Sequence, residues 1–261
     1  MTSLALPRFG DITAPNGWQA IDFISDLHLA ADTPLGFDAW SRYMRTTCAD
    51  AVFILGDLFE VWVGDDSRHE GFEARCAEVL SDAAAQRTVA FMVGNRDFLV
   101  GAEMLAACGV MPLADPTVVT AFGERVLLTH GDSLCLADTD YQQFRAMVRG
   151  GAWQASVLAR PLAERRTLAR EVRHASEERH GSMLPEWLDL DLAVSVEWMR
   201  AARTPVLVHG HTHRPADQVL QPGCARHVLS DWDLDHAATP RAEVLRWTRD
   251  GMRRIAPDTA G

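Results

Sequence analysis

Lysine is absent from the chain: all 25 basic residues are arginine. Every cationic contact to an anion must therefore come from a guanidinium, a permanent charge with forked donors. Positive charge is scarce overall. The formal net charge is −11 and the pI near 5.3, which excludes a general nucleic-acid binder, since that class carries a basic field. No apolar run approaches the ~18 residues of a membrane-spanning helix. The first nineteen residues lack a basic stretch followed by an apolar one, so no secretory signal is expected. Cysteine is sparse and odd in number (Cys48, Cys76, Cys108, Cys135, Cys224), with no C-x-x-C pair. That argues against a disulfide framework or a thiolate zinc site and predicts reduced thiols in the cytoplasm. Repeats, low-complexity tracts and flexible linkers are also missing.

What is present is an ordinary folding composition, 48% hydrophobic and 23% charged over 261 residues, enough for one large α/β domain across residues 1–261. Strand-length apolar runs ending in polar loops recur at 20–24, 51–55, 89–93, 126–129 and 206–209. The stretches 36–48, 69–86 and 101–108 between them have helical spacing, as in a layered α/β fold. Residues 116–129 read as a hairpin turning at Phe122-Gly123-Glu124, and 225–229, 241–247 and 252–255 read as further strands. The stretch of about 137–202 is helical in composition. Between 142 and 180 it holds eight arginines against four glutamates, beside apolar Trp153, Val157, Leu158, Leu162 and Leu168. A cap inserted over a site and a solvated arginine-rich face both fit that pattern.

The chemistry-bearing residues fall at strand ends. Asp26-x-His28 follows the first run, Gly56-Asp57 the second and Gly94-Asn95-Arg96-Asp97 the third. His130-Gly131-Asp132 follows the hairpin, and Gly210-His211-Thr212-His213 follows the run at 206–209. Five strand ends thus deliver carboxylate, amide oxygen and imidazole, hard or borderline metal donors, where ligand sites collect in such sheets. Two divalent ions ~3.5–4 Å apart need a shared carboxylate and separate donors for each, with open positions left for water and phosphoryl oxygens. The mixed nitrogen and oxygen set suits Mn²⁺, Fe²⁺ or Zn²⁺ more than Mg²⁺. Singly, each motif has an ordinary alternative: an aspartate after a strand is commonly a turn or helix cap, and a lone loop histidine is commonly just hydrogen-bonded. The ordered set of five is much harder to obtain by chance.

In that order the set resembles the calcineurin-like metallophosphoesterase superfamily. The resemblance implies a four-layer αββα sandwich, two β-sheets between helices, with a helical cap insertion. It also implies two divalent metals, Mn²⁺ by expectation. By motif position Asp26, His28 and His213 would hold one, Asn95, His130 and His211 the other, and Asp57 would bridge them. Asp57, Asn95, Arg96 and His211 become the expected catalytic group. Arg96 stands where many members have histidine, which suggests a guanidinium clamping a phosphate or diphosphate.

Longer runs narrow the resemblance over about residues 20–235. They are Ser25–Leu29, Gly56–Glu60 continuing through Trp62 to Asp66, Gly94–Leu99, His130–Cys135, Tyr141–Arg145 and His211–Pro215. Together they are similar to the branch that hydrolyses UDP-linked diacylglucosamine lipids. That branch implies metal-assisted attack on the α-phosphorus, giving UMP and a lipid 1-phosphate, by a monomer held peripherally on the cytoplasmic face of the inner membrane, with no nucleic-acid partner. Substrate contacts would come from Asn95, Arg96, Trp62, Asp138, Tyr141, Arg173, Ser176 and His211. Leu136, Ala137, His180, Met183 and Ser230 depart from the branch's pattern and bear on lipid identity, not on the metal donors. A soluble enzyme for another nucleotide diphosphate or phosphodiester stays open. A non-enzymatic relative is disfavoured because all seven donor positions are filled.

Overall fold

The computed structural model describes residues 6–180 and 189–261, with the side chains of 172–180 outside that description. In chain order the strands are β1 (Gly10–Thr13), β2 (Ile21–Ile24), β3 (Ala51–Leu55), β4 (Thr88–Met92), β5 (Met111–Pro112) and β6 (Thr117–Ala121), followed by β7 (Glu124–Thr129), β8 (Val206–His209), β9 (Ala216–Gln221), β10 (Cys224–Val228), β11 (Val244–Thr248) and β12 (Gly251–Ile255). The helices are α1 (Pro34–Thr46), α2 (Gly71–Ala84), α3 (Ala102–Ala107), α4 (Thr139–Val148), α5 (Gly151–Leu158), α6 (Leu162–His180) and α7 (Leu192–Ala202).

Strands β2 to β5 run parallel, and α1, α2 and α3 make the crossovers that parallel neighbours require. Strands β11 and β12 complete this sheet antiparallel, in the order β12-β11-β2-β3-β4-β5. The second sheet is ordered β1-β6-β7-β8-β10-β9. Strands β2 and β3 are buried at every residue, which is why they read as unbroken apolar runs.

The two-residue period sorts their side chains between two cores. Ile21, Phe23, Phe53, Leu55 and Met92 pack between the sheets with Val126, Leu128, Val208 and Trp247. Ile24, Val52, Ile54 and Phe91 face Trp40, Met44, Val79 and Leu80 on the helix side. On the far face, Val118, Leu127 and Leu207 pack against Trp198, Met199 and Ala202 of α7. Helices, sheet, sheet and helix give the four layers expected from the motifs.

The turn at Phe122-Gly123 has φ of 54° and 86°, the left-handed pair that suits a two-residue hairpin. Strands β1 and β9 escape the sequence pattern. Both lie at sheet edges and carry half-exposed, polar residues in place of an apolar run.

Strands β2, β3 and β4 are mutually parallel, as are β7 and β8. The C-terminal ends of the two sheets meet: the carbonyl of Leu55, the last residue of β3, lies 2.8 Å from Nδ1 of His130 after β7, and the His211 N–H after β8 donates to Asp26 Oδ2 after β2 at 2.9 Å.

Candidate metal centre

Backbone strain marks the site before any side chain is considered. Among the described residues, seven non-glycine positions have positive φ, and five of them are Asp26, His28, Asp57, His211 and His213. Left-handed geometry at such residues costs about 1–3 kcal/mol each and persists where the surroundings over-determine it. The surroundings here are hydrogen bonds and close backbone. Asp26 accepts from Ser25 Oγ at 2.5 Å and from the His211 N–H at 2.9 Å, while its carbonyl accepts from the Trp232 N–H at 3.0 Å. A Cβ on Gly94 would stand 2.1 Å from Asp57 Oδ1, and one on Gly210 would stand 2.3 Å from Asp26 Oδ2. Only glycine lets these loops close onto the carboxylates.

Asp57 occupies the middle. Its Oδ2 lies 3.9 Å from His28 Nε2 and its Oδ1 lies 3.8 Å from His130 Nε2. On the first side, His28 Nε2 and His213 Nε2 are 3.1 Å apart, and His213 Nε2 is 3.5 Å from Asp26 Oδ1. On the second, Asn95 Oδ1 sits between His130 Nε2 at 3.0 Å and His211 Nδ1 at 2.8 Å. Asp26, His28 and His213 form one group whose donor atoms could share an ion, and Asp26, Asp57 and His130 form another. The structure thus brings all seven sequence-predicted donors together.

Two of the remaining ring nitrogens face an outer partner. His130 Nδ1 faces the Leu55 carbonyl at 2.8 Å, and His28 Nδ1 lies 3.0 Å from Glu60 Oε2. Outer partners of this kind fix the tautomer and the ring orientation of a metal-binding histidine.

Electrostatics give the same account of what fits. Asp26, Asp57, Asp97 and Asp132 are all buried, and buried carboxylates require compensating charge. Burial pushes the His130 imidazole down, yet Asp57, Asp26 and Asp132 together raise it to about 9. Burial works to raise Asp26, but His213, His130 and His28 hold its carboxyl well below the usual carboxylate range. His211 goes the other way, lowered to about 3 by burial and by the His130 charge. The cluster draws protons onto imidazole where a cation would serve, and its nitrogen and oxygen donors suit a borderline divalent ion.

Two carboxylates outside the seven donors, Asp97 and Asp132, organise the loops. Asp97 accepts backbone N–H groups from Gly94 at 2.7 Å, Leu58 at 2.8 Å and Asp57 at 3.3 Å. Burial, with the neighbouring Asp57 charge, raises its carboxyl to about 7. Asp132 accepts from Tyr141 Oη at 2.7 Å and Arg145 Nε at 2.8 Å, and Arg149 lies 3.6 Å away. The signal for Asp97 is there in GNRD, since an acid three residues beyond a tight glycine can reach back to its amide; HGD carries no such signal, because the partners of Asp132 are Tyr141 and Arg145 on α4.

The other expected contacts fall variously. Arg96 borders the centre, its N–H on Asp57 Oδ1 at 2.8 Å and its guanidinium 3.6 Å from Glu60. Tyr141 spends its hydroxyl on Asp132, and its ring stacks on His211 with centroids 6.1 Å apart. Asp138 caps α4 by accepting the Tyr141 N–H at 3.0 Å. Trp62 is buried in the helix-side core, its indole N–H on Asp65 at 3.1 Å. The side chains of Arg173, Ser176 and His180, and the whole of Met183, lie outside the described residues.

The calcineurin-like phosphoesterase model matches residues 20–215, a span that takes in all seven donor positions. The chain belongs to the calcineurin-like phosphoesterase family. It is a metal-dependent hydrolase. Within the family it is similar to a UDP-2,3-diacylglucosamine hydrolase from Chromobacterium violaceum, 46% identical over 82% of this chain and 90% of that one. A protein of the same name from Ralstonia nicotianae is 40% identical over 91% and 92% of the two chains. The structure of vacuolar protein sorting 29 from Cryptosporidium parvum aligns with a TM-score of 0.47 at 16% identity, covering 92% of this chain and 98% of that one.

Proposed function

We propose that the chain hydrolyses the pyrophosphate bond of UDP-2,3-diacylglucosamine, giving UMP and 2,3-diacylglucosamine 1-phosphate in lipid A biosynthesis. The observation that carries this reading is the match to relatives of that name, 40–46% identical over nine-tenths or more of their own length. Water adds to the α-phosphorus, and the bond from that phosphorus to the bridging oxygen breaks.

Two divalent cations, Mn²⁺ in this reading, would be held by Asp26, His28 and His213 and by Asn95, His130 and His211, with Asp57 shared. When bound they would supply a water ionised near neutral pH and positive charge for the phosphoryl oxygens. The chain's own residues do the rest. Asp57 presents one oxygen to each donor group and is held by the Arg96 N–H. Arg96 offers a forked donor to the phosphate oxygens as charge develops. Arg149 is close by, donating to the Gly94 carbonyl at 2.9 Å. The Tyr141 ring stacked on His211 walls the site on the α4 side.

In this reading helices α4 to α6 form the cap, whereas α7, which the sequence pattern places in the same insertion of about 137–202, packs on the far face of the second sheet. Arg145 ties the cap to Asp132, and Arg165 ties it to Asp66 and to the Val63 carbonyl. Exposed Val61, Met147 and Leu158 offer apolar surface for acyl chains. The proposed setting is the cytoplasmic face of the inner membrane, with peripheral contact. Among the described residues no helix is long and apolar enough to cross a membrane.

The test is product analysis on UDP-2,3-diacylglucosamine in detergent micelles, after chelation and with Mn²⁺, Mg²⁺ or Zn²⁺ restored singly. Metal-dependent UMP together with the lipid 1-phosphate is expected. Metal-dependent hydrolysis of a simple nucleotide diphosphate with none of the lipid would overturn the substrate while leaving the metal centre standing.

A further inference from the structure

Strand β8 ends on His209, a completely buried histidine one residue before the GHTH turn. It is not one of the seven donors. Its Nε2 lies 2.8 Å from Arg226 Nε, and its Nδ1 lies 2.7 Å from the Gly210 carbonyl. A guanidinium Nε–H can only donate. Nε2 must therefore be the bare, accepting nitrogen, and the ring proton must sit on Nδ1 and donate to Gly210. The same carbonyl accepts the Thr212 N–H at 2.8 Å. It is the pivot of a turn whose His211 and His213 both have positive φ.

His209 also touches the other donor loop: a Cβ on Gly131, the residue after His130, would lie 3.2 Å from Nδ1. Arg226, itself 2% exposed, is held in place by Asp189 just before α7 and by Gln218 Oε1 at 3.3 Å. A buried cation aimed by two partners at one ring nitrogen does more than fill space, because it selects a tautomer.

We infer that Arg226 and His209 act as positioning residues for the metal centre, the guanidinium fixing His209 in its Nδ1–H form so that His209 clamps the Gly210 carbonyl and holds the strained GHTH turn in place. The inference rests on the proposed donor set. No contact of either residue with substrate or metal is required, and the effect travels through Gly210.

Asparagine and glutamine separate the two ring nitrogens. Asn at 209 can place an N–H near the Nδ1 position and keep the clamp, whereas Gln reaches the Nε2 position and keeps only the link to Arg226. A space-filling role favours the larger Gln, and a clamping role favours Asn. The experiment is Mn²⁺ titration by electron paramagnetic resonance of the chelated full chain, for wild type, His209→Asn, His209→Gln and Arg226→Met. Outer partners of metal-binding groups are worth ~10–100-fold in affinity, so His209→Gln and Arg226→Met are expected to weaken Mn²⁺ binding ~10-fold or more, with His209→Asn within ~3-fold of wild type. A second measurement on the wild type alone, the ¹⁵N shifts of the His209 ring, is expected to show Nδ1–H.

Equal affinity of the Asn and Gln variants, or a ring protonated on Nε2, would overturn the inference with the donor set intact. A wild-type chain that takes up no Mn²⁺ would overturn the donor set and this inference with it.

Discussion

His28 and His213 meet ring nitrogen to ring nitrogen, Nε2 to Nε2 at 3.1 Å, although 185 residues separate them in sequence. Two neutral imidazoles so placed can share a proton or a cation, and Asp26 and Asp57 beside them supply the negative charge that favours the cation. Removing either ring should empty that side of the centre. His213→Ala and His28→Ala are expected to lose at least ~100-fold in metal affinity, the upper end of what an outer partner costs. Isothermal titration with Mn²⁺ checks this.

Glu60 acts on the same group at one remove, through its 3.0 Å contact with His28 Nδ1. Glu60→Gln keeps the shape and removes the charge. Mn²⁺ affinity should fall ~10–100-fold with the thermal midpoint of the metal-free chain nearly unchanged. A large drop in that midpoint would make Glu60 a structural residue.

Arg96 separates chemistry from metal uptake. Arg96→Ala is expected to lower kcat ~10²–10³-fold, the usual cost of one charge-stabilising donor, while Mn²⁺ affinity stays at the wild-type value. Arg96→Lys should restore little, because a point charge does not reproduce the fork. Steady-state kinetics beside a metal titration tells the two effects apart.

Asp97 and Asp132 tie loops together through buried hydrogen bonds. Asp97→Asn turns an acceptor toward several N–H donors into a partial donor, and should destabilise the chain by about 1–3 kcal/mol in denaturant melts.

For Asp132, burial raises the carboxyl but Arg145, His130 and Arg149 outweigh it and hold it well below the usual range. A depressed carboxylate contributes stability that is present above the unfolded pKa, ~3.9, and is lost as pH falls toward the folded value. The metal-free chain should therefore weaken progressively below pH ~4, and Asp132→Asn should flatten that part of the profile. Denaturant midpoints against pH provide the check.

Much of this was legible in the sequence because the physics is local. Strands β2, β3 and β8 announce themselves as apolar runs, and each is followed within a few residues by its donor. The glycines of GD, GN and GH record the close approach that the carboxylates demand. Strands β1 and β9 escape because Gly10–Thr13 and Ala216–Gln221 are short and mostly polar or exposed, with no apolar run to mark them. For Trp62 the motif leaves both a substrate contact and a core position open, and the structure buries the ring in the helix-side core beside Phe59, with ring centroids 4.6 Å apart. His209 and Arg226 stayed hidden because their pairing joins two parallel neighbours, β8 and β10, that sequence spacing alone does not align. Asp132 is visible as a letter, but its partners Tyr141 and Arg145 lie nine and thirteen residues further on, where no local spacing marks the pairing.

Asp57 lies between His28 and His130, one oxygen toward each, and in the proposed reading it serves both donor groups. The most direct test of that role is the Mn²⁺ stoichiometry of the chelated, reloaded chain, measured for wild type and for Asp57→Ala. Two ions per wild-type chain are expected, with Asp57→Ala folded, unable to hold both and devoid of turnover. One ion per wild-type chain, or an Asp57→Ala variant that still binds two, would contradict the account.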